Sequence, residues 1–139
     1  MIGVPPGKVV LAVYDPGWPT EFVAECHILE QTLAAFHATI EHIGSTAVPG
    51  LLAKPLLDIM VGIADLAQIA TCVGPMQAAG YEYKGEFGVP GRHFFLKGDP
   101  TTHHVHIVAR AGDHWRSYLT FRDVLRTQAG VAEEYAILK

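Results

Sequence analysis

The sequence has little of what a membrane protein, a disulfide-stapled protein or a duplex nucleic-acid binder needs. Cys26 and Cys72 are its only cysteines and lie in segments with helical patterns, so we expect buried free thiols. No apolar run reaches the roughly 20 residues that span a bilayer, and the N-terminus has no long apolar signal region. The formal net charge of -4 disfavours binding to duplex nucleic acid through its phosphates. We therefore expect a cytoplasmic protein that does not contact a membrane.

What the chain does have is a hydrophobic fraction of 50%, which is enough for one packed domain over residues 1–139. Residues 1–8 are rich in glycine and proline and are expected to form a flexible tail. No repeat, low-complexity tract or interdomain linker divides the sequence. Helical patterns that alternate with apolar strands indicate an α/β (α+β) domain.

Apolar periodicity locates the expected helices and strands. An apolar stripe with steps of four and three residues, from Phe22 through Cys26 to Phe36, predicts the first helix and leaves Glu25 off its buried side. The other expected elements are strands at 38–43, 56–63, 81–84, 92–97 and 104–109 and helical regions that open at Asp65 and Asp113.

The most informative stretch, residues 42–63, combines the end of a strand, a Gly-Ser turn, a loop with prolines and a second apolar strand. Asp58 is the only carboxylate of this stretch. A carboxylate inside an apolar strand must be paired, solvated at a cleft or bound to a cation. Asp58 therefore either pairs with a basic residue such as Arg92 or Lys97, or serves a site as a cation ligand or as a base.

The Gly-Ser turn at positions 44 and 45 is a candidate phosphate site. Backbone N–H groups in such a turn can hold a phosphate, and Thr46 adds a hydroxyl donor; a plain turn without a ligand fits the same residues. Lys54 is either a point charge for a phosphate or a solvated lysine, and Arg92 and Lys97 bracket an aromatic strand. The candidate contacts to a phosphorylated ligand are Gly44, Ser45, Thr46, Lys54, Arg92 and Lys97.

A pair of histidines, His104 and His106, lies two residues apart in a predicted strand, so both rings are expected on one face of the sheet. Imidazole favours zinc, manganese, iron or copper, whereas magnesium prefers oxygen ligands. With Asp58 these residues make two histidines and one carboxylate, the composition of an open metal site. The alternative is a pair of polar-face histidines without a ligand. The candidate catalytic and metal-ligating residues are Asp58, His104 and His106.

The block HIGSTAVPGLLAKPLLD, from His42 to Asp58, closely resembles the signature of the GrpB family, also called UPF0157. The resemblance extends to YDPGWPTEF, RHFFLK, HVHIV, FRDVLR and EEYAILK, at residues 14–22, 92–97, 104–108, 121–126 and 133–139. It implies a nucleotidyltransferase-like fold, in which helices flank a small mixed β-sheet. Members of the family usually continue with another helical stretch, so the resemblance also implies that the last helix of this chain is truncated.

The resemblance implies specific roles at this block. In active members of the superfamily, a Gly-Ser turn holds a nucleoside triphosphate and carboxylates bind a pair of magnesium ions. The Gly44–Ser45 turn then holds phosphate, and Asp58 supplies the first metal carboxylate. Met60 occupies the second carboxylate position, and a thioether does not replace a carboxylate for magnesium. His104 or His106 stands where a third carboxylate is expected, so the simplest two-magnesium transfer lacks its ligands.

Three classes of function follow from these observations. The leading hypothesis is a GrpB-like protein that binds a nucleotide or another small phosphorylated molecule, with a nucleoside triphosphate as substrate if it transfers a nucleotidyl group. The second is a metal-dependent hydrolase or oxygenase-like site that holds magnesium, manganese or zinc. The third is a non-catalytic accessory module whose cleft binds a partner or a small regulator.

Overall fold

The computed structural model describes Gly3 and residues 11–127. The helices are α1 (Trp18–Thr32), α2 (Ile69–Ala78) and α3 (Asp113–Thr127). The strands are β1 (Thr39–Ile43), β2 (Leu57–Ile63), β3 (Glu82–Tyr83), β4 (His93–Lys97) and β5 (His103–Ala109). Short 3₁₀ turns lie at Ala34–Phe36, Ser45–Ala47 and Leu66–Gln68. Each strand expected from the sequence is present, with its ends displaced by at most one residue.

The strands form one mixed sheet in the order β1-β2-β5-β4-β3. β2 and β5 run parallel, and all other neighbours in this sheet run antiparallel. β2 lies inside the sheet and is covered on both faces, which explains why its sequence is nearly all apolar. A mixed sheet flanked by helices confirms the expected α/β (α+β) class.

Different helices cover the two faces of the sheet. Side chains alternate along β2, so Leu57, Ile59 and Val61 point to one face and Asp58 and Met60 to the other. The first face packs against α1 and α2 around a core that includes Trp18, Leu29, Leu33, Met76, Phe95, Val105 and Ile107. The second face, called here the α3 face, packs Ile43, Met60 and Val108 against Trp115, Tyr118 and Leu119.

The first helix buries the expected Leu29 and also Glu25, which was expected to lie off the buried side. Glu25 is only 4% exposed, and its carboxylate accepts hydrogen bonds from Tyr81 Oη and Lys97 Nζ, each at 2.6 Å. Cys26, which was expected to be buried, is half-buried, although its thiol is free as expected. A buried carboxylate is tolerated where donors meet it. These donors come from distant strands and loops, so no local pattern in α1 indicates them.

The apolar stripe continues beyond the end of α1. The spacing runs to Phe36, but the helix ends at Thr32, because Leu33 leaves helical geometry at φ -112 and ψ 23. The 3₁₀ turn that follows is closed by His37 in the left-handed region at φ 50. Leu33 still packs in the core and Phe36 packs against it. Apolar spacing therefore overestimates the length of this helix.

The later helices begin near their expected acidic residues. Asp65 accepts a hydrogen bond from the Ala67 N–H at 3.0 Å and caps the 3₁₀ turn before α2. α3 starts at Asp113. The expected tail, apart from Gly3, and the helical spacing expected after residue 127 lie outside the described residues. Among the residues that are described, no helix is long and apolar enough to cross a bilayer.

Candidate functional site

Asp58 and the strand histidines lie together on the α3 face. In the parallel register of β2 and β5, Asp58 lies opposite His104, and Met60 lies opposite His106. His106 Nε2 is 2.6 Å from Asp58 Oδ1. The ring of His104 meets Phe94 edge-on, with 5.0 Å between centroids. The structure thus brings together the three residues selected from the sequence, with a direct hydrogen bond between two of them.

Arg92 extends this contact on the far side of the His106 ring. Its Nη1 lies 3.2 Å from His106 Nδ1, and its Nη2 donates to the carbonyls of Glu86 and Phe87, each at 3.3 Å. A guanidinium only donates hydrogen bonds, so Nδ1 accepts and the ring proton lies on Nε2. His106 therefore donates to Asp58. Arg92 reaches Asp58 through the imidazole rather than as the direct ion pair that the sequence allowed.

Asp58 is held in its charged form. Burial acts to raise the pKa of Asp58, but the attraction and hydrogen bond of His106, followed by attraction to His104 and His42, outweigh it and lower the pKa below its usual value. The Asp58 side chain is 29% exposed, so the carboxylate is not sealed inside the sheet. Burial, as the largest cause, lowers the pKa of His104. The site therefore presents a carboxylate that an imidazole N–H holds in place.

The Gly-Ser turn is pressed against Asp58. Gly44 has φ 73 and ψ -173, a backbone region that is essentially restricted to glycine. A Cβ at Gly44 would lie 2.8 Å from the Asp58 Cβ and 2.9 Å from its Oδ2. Glycine is therefore required both for the backbone conformation and for the close approach. The half-buried Ser45 follows directly and opens the 3₁₀ turn.

The other expected ligand contacts lie in different places. Thr46 is buried, and its Oγ1 lies 2.9 Å from His42 Nε2. Lys54 is exposed and close enough to His104 to contribute, after burial and other neighbours, to its lowered pKa. Lys97 points to the opposite face, because side chains alternate along β4, and it bonds the buried carboxylate of α1. The structure does not bring Lys97 to the site.

The residues do not fit the two-magnesium centre that the sequence resemblance implies. Met60 is fully buried beneath α3, and its thioether is not a magnesium ligand. Asp58 Oδ1 and His106 Nε2, two donors of the expected Asp/His/His set, are bonded to each other. In the part of the chain that the structure describes, no group of three or more His, Cys, Asp or Glu side chains is arranged to hold a metal ion. Metal binding by Asp58, His104 and His106 stays a prediction.

Sequence reasoning missed two aromatic rings of the site. Phe94 lies opposite His106 in the register of β4 and β5, and the Arg92 guanidinium lies over its ring at 5.0 Å. The Tyr118 ring, from α3, lies 5.6 Å from that of His106. Alternation along β4 was a usable signal for Phe94. No local signal places a helix residue such as Tyr118 over a particular strand.

The mixed sheet, with a Gly-Ser turn beside the one carboxylate of β2, has a nucleotidyltransferase-like fold. The same fold occurs in the Cid1 poly(U) polymerase, to which this chain is similar with a TM-score of 0.57 and 16% identity, over 88% of this chain and 41% of that one. At that identity the similarity concerns the fold alone. The chain belongs to the GrpB family, whose sequence model, described as GrpB protein, matches residues 8–139.

Two similar proteins support the assignment of this chain to the GrpB family. UPF0157 protein YqkA of Bacillus subtilis is 36% identical over 136 residues, which are 97% of this chain and 40% of YqkA. The crystal structure of the conserved protein GrpB from Enterococcus faecalis is similar with a TM-score of 0.84 and 37% identity, over 93% of this chain and 79% of that one. The chain thus spans less than half the length of YqkA. The family and fold expected from the sequence block at residues 42–58 are confirmed.

Proposed function

We propose that this chain binds a nucleotide or another small phosphorylated molecule on the α3 face, between the Gly44–Ser45 turn and Asp58. The observation that carries the proposal is the approach of Gly44 to Asp58, with the glycine Cβ position 2.9 Å from Oδ2. Backbone N–H groups and hydroxyls of such turns hold phosphate oxygens. A carboxylate directly beside them meets the same ligand.

Positive charge for the phosphate comes from Arg92 and Lys54. Arg92 is 9% exposed, and its hydrogen bonds go to carbonyls and to an imidazole rather than to a carboxylate. Its Nε atom is buried without a hydrogen-bond partner among the described residues. Lys54 is exposed near His104 and adds a second cation. A buried guanidinium with no direct counter-ion in the described part of the chain favours an anionic ligand nearby.

Asp58 repels a bare phosphate, so the ligand is expected as its magnesium or manganese complex. One carboxylate together with ligand phosphates suits a cation that arrives with the nucleotide. His106 holds Oδ1 of Asp58 and leaves Oδ2 beside Gly44. A carboxylate in that position can also accept a proton from a ligand hydroxyl. Met60 leaves a two-magnesium transfer without its second carboxylate.

A thermal-shift panel of nucleoside triphosphates and tripolyphosphate, each with magnesium, with manganese or with a chelator, tests this proposal. A ligand that binds only the folded state stabilises it by about 2.7 kcal/mol at a hundredfold excess over Kd. We expect the metal complexes to raise the Tm and the chelator to reduce the shift. Lys54→Gln should reduce the shift in every condition.

Asp58→Asn gives the sharper comparison, because it keeps the size of the side chain and removes its charge. In this variant the difference between metal and chelator should disappear. Asp113→Asn changes an exposed carboxylate at the start of α3 and should preserve that difference. A wild-type chain whose Tm does not move with any of these ligands, with or without metal, overturns the proposal.

A further inference from the structure

A second cleft lies at the outer edge of β1, between α1 and α3. Its volume is about 580 Å³, within the range of small-molecule sites. Gly44 faces Asp58, whereas Thr46 and Ala47 of the same turn line this cleft. The lining residues that matter here are Tyr14, Phe22, His42, Thr46, Arg122 and Arg126.

One side of the cleft carries a stacked aromatic pair. The rings of Phe22 and His42 stack with 4.8 Å between centroids and 10° between planes. His42 is 7% exposed, and its Nε2 lies 2.9 Å from Thr46 Oγ1. Burial, followed by repulsion from Arg126, lowers the pKa of His42 to about 4, so its ring is uncharged near neutral pH. The half-buried Phe22 is the more accessible ring of this uncharged pair, and an aromatic ligand ring packs favourably against it.

The other side of the cleft carries an arginine, Arg126, to which no other described residue supplies a counter-ion. Arg122 is neutralised, because its Nη1 lies 2.7 Å from Glu41 and its Nε lies 2.9 Å from Asp123. Arg126 donates from Nε to the Ala47 carbonyl at 2.8 Å. Among the described residues, no carboxylate lies within 4.0 Å of its guanidinium. Burial and repulsion from Arg122 lower the pKa of Arg126.

We propose that this cleft is a separate binding site for a planar aromatic molecule that carries one phosphate or carboxylate group. The ligand ring lies against Phe22, the accessible ring of the stacked pair. Its anionic group meets the Arg126 guanidinium through charge-assisted hydrogen bonds and supplies a counter-charge that the described residues do not provide. Glu41 and Arg122 of the cleft neutralise each other, so the net positive charge of the cleft comes from Arg126.

This site is independent of the proposed nucleotide site. None of Gly44, Asp58, Lys54 and Arg92 lines the cleft. The two sites meet at the turn of residues 44–47, and His42 of this cleft interacts electrostatically with Asp58 of the first site. A ligand whose binding depends on a metal and on Asp58 therefore occupies the first site. A ligand whose binding depends on Arg126 occupies the second.

An NMR titration with phenyl phosphate tests the proposal. Amide signals of residues 41–47 and 122–126 should shift and saturate. Inorganic phosphate lacks the ring and benzyl alcohol lacks the charge, so each should bind at least about tenfold more weakly. Benzoate tests whether a carboxylate replaces the phosphate. Phenyl phosphate that binds no better than inorganic phosphate overturns the proposal.

Variants locate the binding. Arg126→Gln should weaken phenyl phosphate binding by about tenfold, the loss of a charged hydrogen bond, and Arg126→Lys should restore part of it. Arg116→Gln makes the same change at an arginine that is 62% exposed on the same helix, and should have no effect. Asp58→Asn should also bind as the wild type does. Unchanged affinity in a folded Arg126→Gln, or loss in Asp58→Asn, overturns the proposal, whatever the nucleotide experiments show.

Discussion

Arg92 Nη1 lies 3.2 Å from His106 Nδ1, and this contact sets the direction of the hydrogen bond between His106 and Asp58. Because Nδ1 must accept a hydrogen bond, the ring proton lies on Nε2. Nε2 then donates a hydrogen bond to Asp58 Oδ1 at 2.6 Å. The cation is thus separated from the carboxylate by one imidazole ring. The other carboxylate oxygen of Asp58, Oδ2, takes no part in the hydrogen bonds between Arg92, His106 and Asp58, and it lies on the side that faces Gly44.

Replacing Arg92 by methionine should change the ¹⁵N signal of His106 Nδ1. In the wild type we expect ¹⁵N spectra with a protonated Nε2 and an unprotonated Nδ1. Arg92→Met removes the hydrogen-bond donor beside Nδ1, so the ¹⁵N shift of this nitrogen should change, whereas Nε2 should keep its proton because Asp58 still accepts from it. Arg110→Met, at an exposed arginine that bonds the His37 carbonyl, is the control. A wild-type spectrum with a protonated Nδ1 would contradict the assignment.

Glu25 should contribute to stability although it lies inside an apolar layer. Glu25→Ala leaves Tyr81 Oη and Lys97 Nζ without their acceptor. We expect the free energy of unfolding to fall by about 3 kcal/mol, the low end for a broken buried pair, because Lys97 is partly exposed. Urea denaturation measures the loss. Glu30→Ala, at an exposed position of α1, should change stability by less than about 0.5 kcal/mol, and similar losses in both variants would count against a buried network.

The site was predictable where strand alternation decides the outcome. Alternation in two apolar strands placed Asp58, His104 and His106 on one face, and the register of β2 and β5 confirms it. The same rule explains why Lys97 is absent from the site, since its neighbour Phe95 packs in the main core. The list of ligand contacts was too wide because both basic ends of this strand were assigned to one face.

Contacts between elements were not predictable from local pattern. Arg92 precedes β4, so strand alternation does not direct its side chain, and it reaches His106 while bonding the carbonyls of the preceding loop. Glu25 was placed outside the core, because helical spacing records apolar residues and not the distant donors that permit a buried acid. Tyr118 comes to His106 through the packing of α3. These contacts depend on how the helices pack on the sheet, and this packing cannot be read from patterns of neighbouring residues in the sequence.

Magnesium without a nucleotide should leave the Tm unchanged, since Met60 deprives Asp58 of a second carboxylate. Zinc and manganese test the Asp/His/His prediction separately. Elemental analysis that finds a stoichiometric metal, lost in His106→Ala, would support that set. Stabilisation by magnesium alone, lost in Asp58→Asn, would contradict the first expectation.

The pKa of His42 predicts an acid-sensitive stability. Burial is the largest cause that lowers it from 6.5 to about 4. Between these values the unfolded chain binds more protons than the folded one, so the free energy of unfolding falls as the pH falls from about 6.5 to about 4. His42 accounts for up to about 3 kcal/mol of this loss.

Urea denaturation near pH 7.5 and near pH 4.5 measures this dependence. His42→Gln should flatten the decrease in unfolding free energy between the two conditions. His27→Gln, at an exposed histidine of α1, is the matched control and should keep the wild-type slope. An unchanged slope in His42→Gln would assign the acid sensitivity to other groups.

Gly44 and Gly50 offer a matched test of the contact between the turn and Asp58. Both have positive φ, 73 and 82. At Gly50 an added Cβ meets nothing within 4 Å, whereas at Gly44 it would lie 2.8 Å from Asp58. Alanine at either position costs about 1–2 kcal/mol for the left-handed backbone. Gly44 adds the clash and a ψ of -173 that is essentially restricted to glycine.

Gly44→Ala should therefore lower the free energy of unfolding by about 1–3 kcal/mol more than Gly50→Ala does. It should also reduce the nucleotide-induced shift in Tm, because the turn must move away from Asp58 to make room for the methyl group. Gly50→Ala should retain the full nucleotide shift. Urea denaturation and thermal shift, measured on both variants, separate backbone strain from the lost contact. Equal losses of stability with equal ligand shifts would mean that the approach of the turn to Asp58 is not needed for the fold or for the ligand.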